Sequence, residues 1–151
     1  MGIRLSADEA WDALGVAHTG ILTTLRRDGM PITLPMWFVA LDRTICFSAP
    51  SHTKKVARLR HDPRASFLIE SGERWAELRA VHLTGRVDEI TDPGAIARID
   101  AALDDKYAAS RTASTAMPAA TRAHYTGRTH FRLVPDERVL TWDNRRLELG
   151  E

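Results

Sequence analysis

At 151 residues, 44% hydrophobic and 27% charged, the chain has the length and composition of one globular domain able to bury a core. Its 21 Lys+Arg against 20 Asp+Glu leave a net charge of +1, which argues against wholesale nucleic-acid or anionic-membrane binding and leaves room for a local basic site. A single cysteine, Cys46, in an apolar run rules out a disulfide framework or thiolate metal cluster and reads as a buried thiol.

Met1 to Leu5 lacks the apolar core of a signal peptide, and no apolar run reaches membrane-spanning length, so the expected location is cytoplasmic. There is no internal repeat, low-complexity tract or linker, and residues 1–151 read as a single domain.

In chain order, Ser6-Ala-Asp-Glu9 has capping-box spacing and predicts a short helix to about Leu14, closed by Gly15. Gly20 to Leu25 and Ile32 to Val39 read as strands around Arg27-Asp-Gly-Met30, where Asp28-Gly29 predicts a primed hairpin turn. Ile45 to Ser48 is a third strand and Ser51 to Arg60 a helix, stopped by Asp62-Pro63 because the residue before proline avoids helical geometry. Ala65 to Ile69 and Ala80 to Ile90 are two more strands.

Pro93 sits in the first turn of the next helix, whose apolar stripe is Ile96, Ile99, Ala102 and Leu103. Ala113 to Tyr125 is partly helical around Pro118, and Phe131 to Val134 and Val139 to Trp142 form a last strand pair around Pro135-Asp-Glu-Arg138. About seven strands joined by tight turns, with few helices, predict a mainly β, α+β fold: an antiparallel sheet forming a small barrel. No Gly-x-Gly-x-x-Gly follows a strand, which argues against a Rossmann domain.

Four segments carry candidate chemistry. Ser51 to Pro63 packs Lys54, Lys55, Arg58 and Arg60 into a strand-to-helix junction. Ser51 or Thr53 is placed to cap that helix. Basic side chains in a first turn have the wrong sign for the helix dipole, so they fit either a solvated basic face or a bound anion such as a phosphate. Pro35-Met-Trp-Phe38 fits either core or one wall of a pocket for a flat aromatic ligand, and Pro35 predicts an edge or bulged strand. Glu77 and Arg79 alternate with apolar residues, as if sharing one strand face, where a surface ion pair is the plainer reading. Thr141 to Leu147, with Trp142, Arg145 and Arg146, is either an edge strand with its exit or a site element. The six histidines are scattered without metal-ligand spacing, and no sequence-level acid–base pair stands out as catalytic.

Taken together, Thr24 to Gly29, Pro31, Pro35 to Phe38, the 51–64 segment and Glu77 to Val81 with Gly85 resemble the pyridoxamine 5′-phosphate oxidase-like split-barrel superfamily. Residues 15–90 carry the likeness best. It implies an antiparallel split β-barrel of the FMN-binding type, a homodimer with its sites at the interface, and oxidoreductase chemistry on a small molecule. It further implies that Thr53, Lys54 and Lys55 hold the FMN phosphate and that Pro35, Met36, Trp37 and Phe38 line the flavin ring. The same resemblance implies that Glu77 and Arg79 approach that ring from the partner protomer and that Trp142 with Arg145 or Arg146 closes the site across the interface.

Thr33 to Phe38 has no basic residue, and Arg146 to Glu151 has no histidine, which argues against vitamin-B6 oxidation. Two other cofactor readings stay open. The deazaflavin coenzyme F-420 has an anionic tail that suits Arg58, Arg60 and Arg64; the other is a haem-binding or cofactor-carrier protein without turnover, for which haem requires a histidine ligand.

Overall fold

A computed structural model describes residues 2–148. Within them, α1 spans Ala7–Val16, β1 Gly20–Leu25, β2 Pro31–Met36, β3 Val39–Leu41, β4 Thr44–Pro50, α2 Lys54–His61, β5 Arg64–Ser71, β6 Arg79–Ile90, α3 Pro93–Tyr107, α4 Ala119–His124 and β7 Arg128–Asp143. All seven strands join one antiparallel sheet in the order β2-β1-β5-β6-β7-β4-β3. Strands β2 and β3 stand at opposite ends of that order, yet only Trp37 and Phe38 separate them in the chain. A two-residue link joins the two edges only if the sheet curls until they meet, so the topology itself makes a split barrel.

Local chemistry accounts for most element ends. Ser6 Oγ accepts from the Glu9 amide at 3.2 Å while Glu9 Oε2 accepts from the Ser6 amide at 2.7 Å, the reciprocal cap expected for α1. The helix runs through Gly15 to Val16 rather than closing at the glycine. Asp92 caps α3 by accepting from the Ala95 amide at 2.8 Å, with Pro93 in its first turn.

The turns differ from expectation in an instructive way. At the β1–β2 hairpin only Gly29 has positive φ, +84°, and the Gly29 amide donates to the Arg26 carbonyl at 2.9 Å. This is a type I turn with a glycine bulge rather than a two-residue primed turn. The primed turn appears instead between β3 and β4, where Asp42 and Arg43 have φ of 51° and 54°. No glycine marks it; the short register Leu41 to Thr44 forces the conformation.

Two strand assignments also change. The expected strand Ile32 to Val39 breaks at Trp37-Phe38 into β2 and β3, because the chain changes edges there. The expected pair 131–134 and 139–142 is a single strand, β7, whose register against β6 shifts between Leu83 and Gly85. Pro135 sits opposite Gly85, where an added Cβ would lie 2.1 Å from the Val134 carbonyl oxygen, so the bulge requires glycine.

Inside the barrel, Leu14, Leu22, Phe38, Ile45, Phe47, Phe67, Leu83, Phe131 and Leu133 form the main core, with Phe38 edge-on to Phe67 at 4.7 Å. A second cluster beneath α3 joins Val39, Cys46, Ile90, Ile99, Leu103 and Tyr107, so Cys46 is a buried free thiol. Among the described residues no helix is long and apolar enough to cross a membrane.

Candidate functional site

Helix α2 begins where β4 ends, and Thr53 is its N-cap residue. The Thr53 hydroxyl turns back to donate to the Pro50 carbonyl at 2.8 Å, so no side chain caps the first turn. Its amides therefore keep their hydrogen-bonding capacity at the positive end of the helix dipole. Ser51 is occupied elsewhere: its amide donates to the Gly127 carbonyl and its Oγ accepts from Thr129, both at 2.9 Å.

Cations gather around that turn. Lys54 is exposed and Lys55 half-buried. Burial lowers the Lys55 pKa, and the positive charges of Arg58 and Arg128 lower it further. Burial likewise lowers that of Arg128, whose guanidinium donates to the Ser48 hydroxyl at 2.8 Å and the Ser48 carbonyl at 2.9 Å. Among the described residues none of Lys54, Lys55, Arg58 and Arg128 forms an ion pair. Mutually repelling cations packed beside open amides have the chemistry to seat an anion.

From Lys54 a cleft of about 590 Å³ runs between α2 and the β1–β2 hairpin. Its apolar walls are Leu25, Ile32 and Ala57, and its polar lining is Arg26, Arg27, Asp28, Arg58 and His61. Asp28 pairs with Arg26 at 2.6 Å, leaving the lining positive. Arg58 is held by its Nε donating to buried Thr24 at 2.8 Å. Its neighbours in sequence are not part of the cleft: Arg60 donates to Glu89 at 3.0 and 2.7 Å, and Arg64 to Asp62 at 3.1 and 2.8 Å. Hydrogen bonds from Arg64 hold the Asp62 carboxyl down at about 2. Arg26, Arg27, His61 and Arg128 escaped the sequence reading, because only the packing of the hairpin and β7 around α2 brings them there.

The Pro35 to Phe38 segment divides by face. Pro35 is exposed on edge strand β2, as expected from its missing amide, whereas Met36 and Phe38 are core side chains. Trp37 is 38% exposed and stacks on Tyr107 with ring centroids 4.3 Å apart and planes within 5°.

Glu77 does not lie on a strand. It ends the 3-10 turn Trp75–Glu77, and its Oε2 accepts from the Glu73 and Arg74 amides at 3.4 and 3.3 Å. It therefore shares no strand face with Arg79, which opens β6 and lies 3.6 Å from Asp143. Asp143 also takes both Arg145 nitrogens, at 2.8 and 2.6 Å, while Trp142 sits opposite Ala80. Arg146 is tied to the Arg4 carbonyl at 2.8 Å and to Glu9. Within one chain this group stands apart from α2: β7 begins at Arg128, opposite Pro50 where α2 follows, and ends at Asp143, at the other end of the strand.

An open sheet face links the two regions. Pro35, Ile21, Leu68, His82 and Leu140 lie directly opposite one another across five strands. Their chain neighbours Leu22, Phe67 and Leu83 point into the core, so this row points out, and Leu140 is 53% exposed.

The fold has counterparts. The family model described as pyridoxamine 5′-phosphate oxidase matches residues 7–139, most of the chain. The chain belongs to that family. A conserved hypothetical protein from Mycobacterium tuberculosis, Rv2991, is 30% identical with a TM-score of 0.82, the match covering 99% of this chain and 91% of that one. A FAD-binding protein from Mesorhizobium loti is 23% identical over 91% of this chain and 94% of that one, with a TM-score of 0.70. An F420 reductase shares the fold at 22% identity and a TM-score of 0.63, over 85% of this chain and 94% of that one. No curated protein matches significantly. The family is thus one of split barrels whose similar structures include proteins described as binding FAD and as an F420 reductase.

Proposed function

We propose that the chain is a flavin-dependent oxidoreductase acting on a small molecule, with FMN as its cofactor. One observation carries the reading: Lys54, Lys55 and Arg128 surround an uncapped helix start, and among the described residues none of the three forms an ion pair. The residues present fit a phosphate. First-turn amides donate to its oxygens, Lys54 and Lys55 balance its charge, and Thr53 sets the turn by holding Pro50. Pro35 and Trp37 are the members of the 35–38 segment that present surface to a ring. Bound there, a flavin supplies hydride and electron transfer, while the chain's side chains hold and orient it.

The proposed working unit is a homodimer. The row Pro35, Ile21, Leu68, His82 and Leu140, apolar except for His82, is a ready face for a second copy. A partner seated there brings Arg79, Trp142 and Arg145 of one protomer toward the ring segment of the other. FMN fluorescence titration tests the cofactor reading: tight binding by wild type and strong loss in Lys55→Ala are expected. Equal affinity in both proteins would overturn the phosphate assignment.

A second reading, coenzyme F-420, is favoured by the cleft. Arg26, Arg27, Arg58 and His61 extend positive lining well beyond a single phosphate, as an anionic tail requires. Parallel titration with FMN and F-420 decides between the two.

A further inference from the structure

Lysine occurs only at positions 54, 55 and 106, and arginine fills every other cationic position among the 21. Lys54 and Lys55 stand at the proposed phosphate seat. Lys106 stands on the last turn of α3, at the seam where the barrel closes.

At that seam Trp37 and Phe38 have left both strand ladders, and α3 supplies the missing partners. The Phe38 amide donates to the Tyr107 hydroxyl at 3.0 Å, and the Phe38 carbonyl accepts from Lys106 Nζ at 2.9 Å. The same ammonium lies 3.9 Å from the centroid of the Phe38 ring, and Tyr107 stacks on Trp37. The Tyr107 hydroxyl has a single proton, for which the His18 carbonyl at 2.7 Å competes with the Phe38 carbonyl at 3.0 Å, so the donor committed to Phe38 is a cation, the Lys106 ammonium.

Holding one there has a cost. Burial pushes the Lys106 ammonium down to about 8, and among the described residues it forms no ion pair. The nearby Asp104 is taken by Arg111 at 2.8 Å, and Asp105 is exposed. The other titratable rings at the seam are Tyr107, whose phenol is pushed up by burial, and His18, 5.2 Å from the Tyr107 ring. Neither supplies a negative charge.

Building on the reading that residues 35–38 line the flavin ring, we infer that Lys106 is a positioning residue for that segment. Its ammonium fixes the Phe38 carbonyl while Tyr107 fixes the Phe38 amide, so both peptide planes around Phe38 are set. Trp37 then meets the cofactor ring in one orientation. Loss of the charge loosens the carbonyl and, through the shared Tyr107 stack, the Trp37 ring.

The test uses the full chain, with Lys106→Met, Lys106→Arg and Trp37→Phe, from neutral pH to about 9.5. Without cofactor, Trp37 emission (wild type minus Trp37→Phe) should change through a step centred near 8, and Lys106→Met should abolish the step. FMN affinity of wild type should fall roughly fivefold across the same step. Lys106→Met should show the weaker affinity at neutral pH, with a melting temperature unchanged or raised, and Lys106→Arg should restore affinity without the step. Wild-type Trp37 emission and an intact step in Lys106→Met would overturn the inference. If wild type binds no FMN at any pH, the cofactor reading fails instead, and the Trp37 step alone decides the role of Lys106.

Discussion

The first turn of α2 and the far end of the β6–β7 ladder both concentrate cations, and they handle the charge in opposite ways. At the ladder, Asp143 is almost fully buried and receives Arg79 at 3.6 Å and Arg145 at 2.6 Å, so charge is neutralised inside the chain. At α2, Lys54, Lys55, Arg58 and Arg128 crowd an uncapped turn, and burial and mutual repulsion depress the Lys55 pKa. A chain gains nothing in stability from that second arrangement, whereas the first is self-sufficient. Pairing, rather than the number of basic residues, therefore distinguishes the structural cations from those of the candidate site. Arg58 and Arg60, two residues apart on one helix, fall on opposite sides of the distinction, because Arg60 has Glu89 and Arg58 has only a neutral hydroxyl.

That contrast breaks first at Asp143. Replacing Asp143 with Ala leaves the Arg79 Nε, already without a hydrogen bond, buried beside no countercharge. Urea denaturation should show a loss of about 3 kcal/mol. Acid sharpens the same point. Hydrogen bonds from Arg145 hold the Asp143 carboxyl below its usual 3.8, so it takes up its proton later than in the unfolded chain. The stability it contributes is complete above about pH 4 and is lost as pH falls through the lower folded value. An acid titration of the melting temperature should show that loss in wild type and a smaller one in Asp143→Asn.

At α2 the expected outcome is reversed. Lys54→Ala with Lys55→Ala should weaken FMN binding by roughly ten- to a hundredfold, about 1.4–2.7 kcal/mol, while the urea midpoint stays the same or rises. A fall in stability matching that of Asp143→Ala would erase the contrast. Arg58→Ala comes next, with a loss of roughly fivefold for F-420 and little change for FMN, read by parallel titration. Arg60→Gln should be the mildest: it breaks an exposed, solvent-screened pair with Glu89 and should leave the urea midpoint nearly unchanged and cofactor affinity unaltered.

Much of the fold was legible along the chain because its signals are local. Ser6 with Glu9, Asp92 with Pro93, and Asp62-Pro63 each act within a few residues, and the structure puts helix ends at all three. Pro35 marked an edge strand for the same reason, since a missing amide is a property of one residue. The candidate site was legible only in part. Lys54, Lys55 and Thr53 announced themselves by their place before a helix, but Arg26, Arg27, His61 and Arg128 reach the same region from a hairpin, a helix end and a distant strand. The alternation around Arg79 suggested a strand running back to Glu77, and the 3-10 turn was missed because the Glu77 carboxylate caps the amides of Glu73 and Arg74 instead.

By itself, then, the sequence determined the composition of the elements, their caps and the basic helix start, all of which depend on neighbours a few bonds away. The tertiary structure alone decided where β2 gives way to β3, that β7 runs unbroken past Pro135, and which arginines find carboxylates. Those outcomes depend on a sheet closing on itself and on residues as many as 137 positions apart meeting in space. No local propensity records such distances.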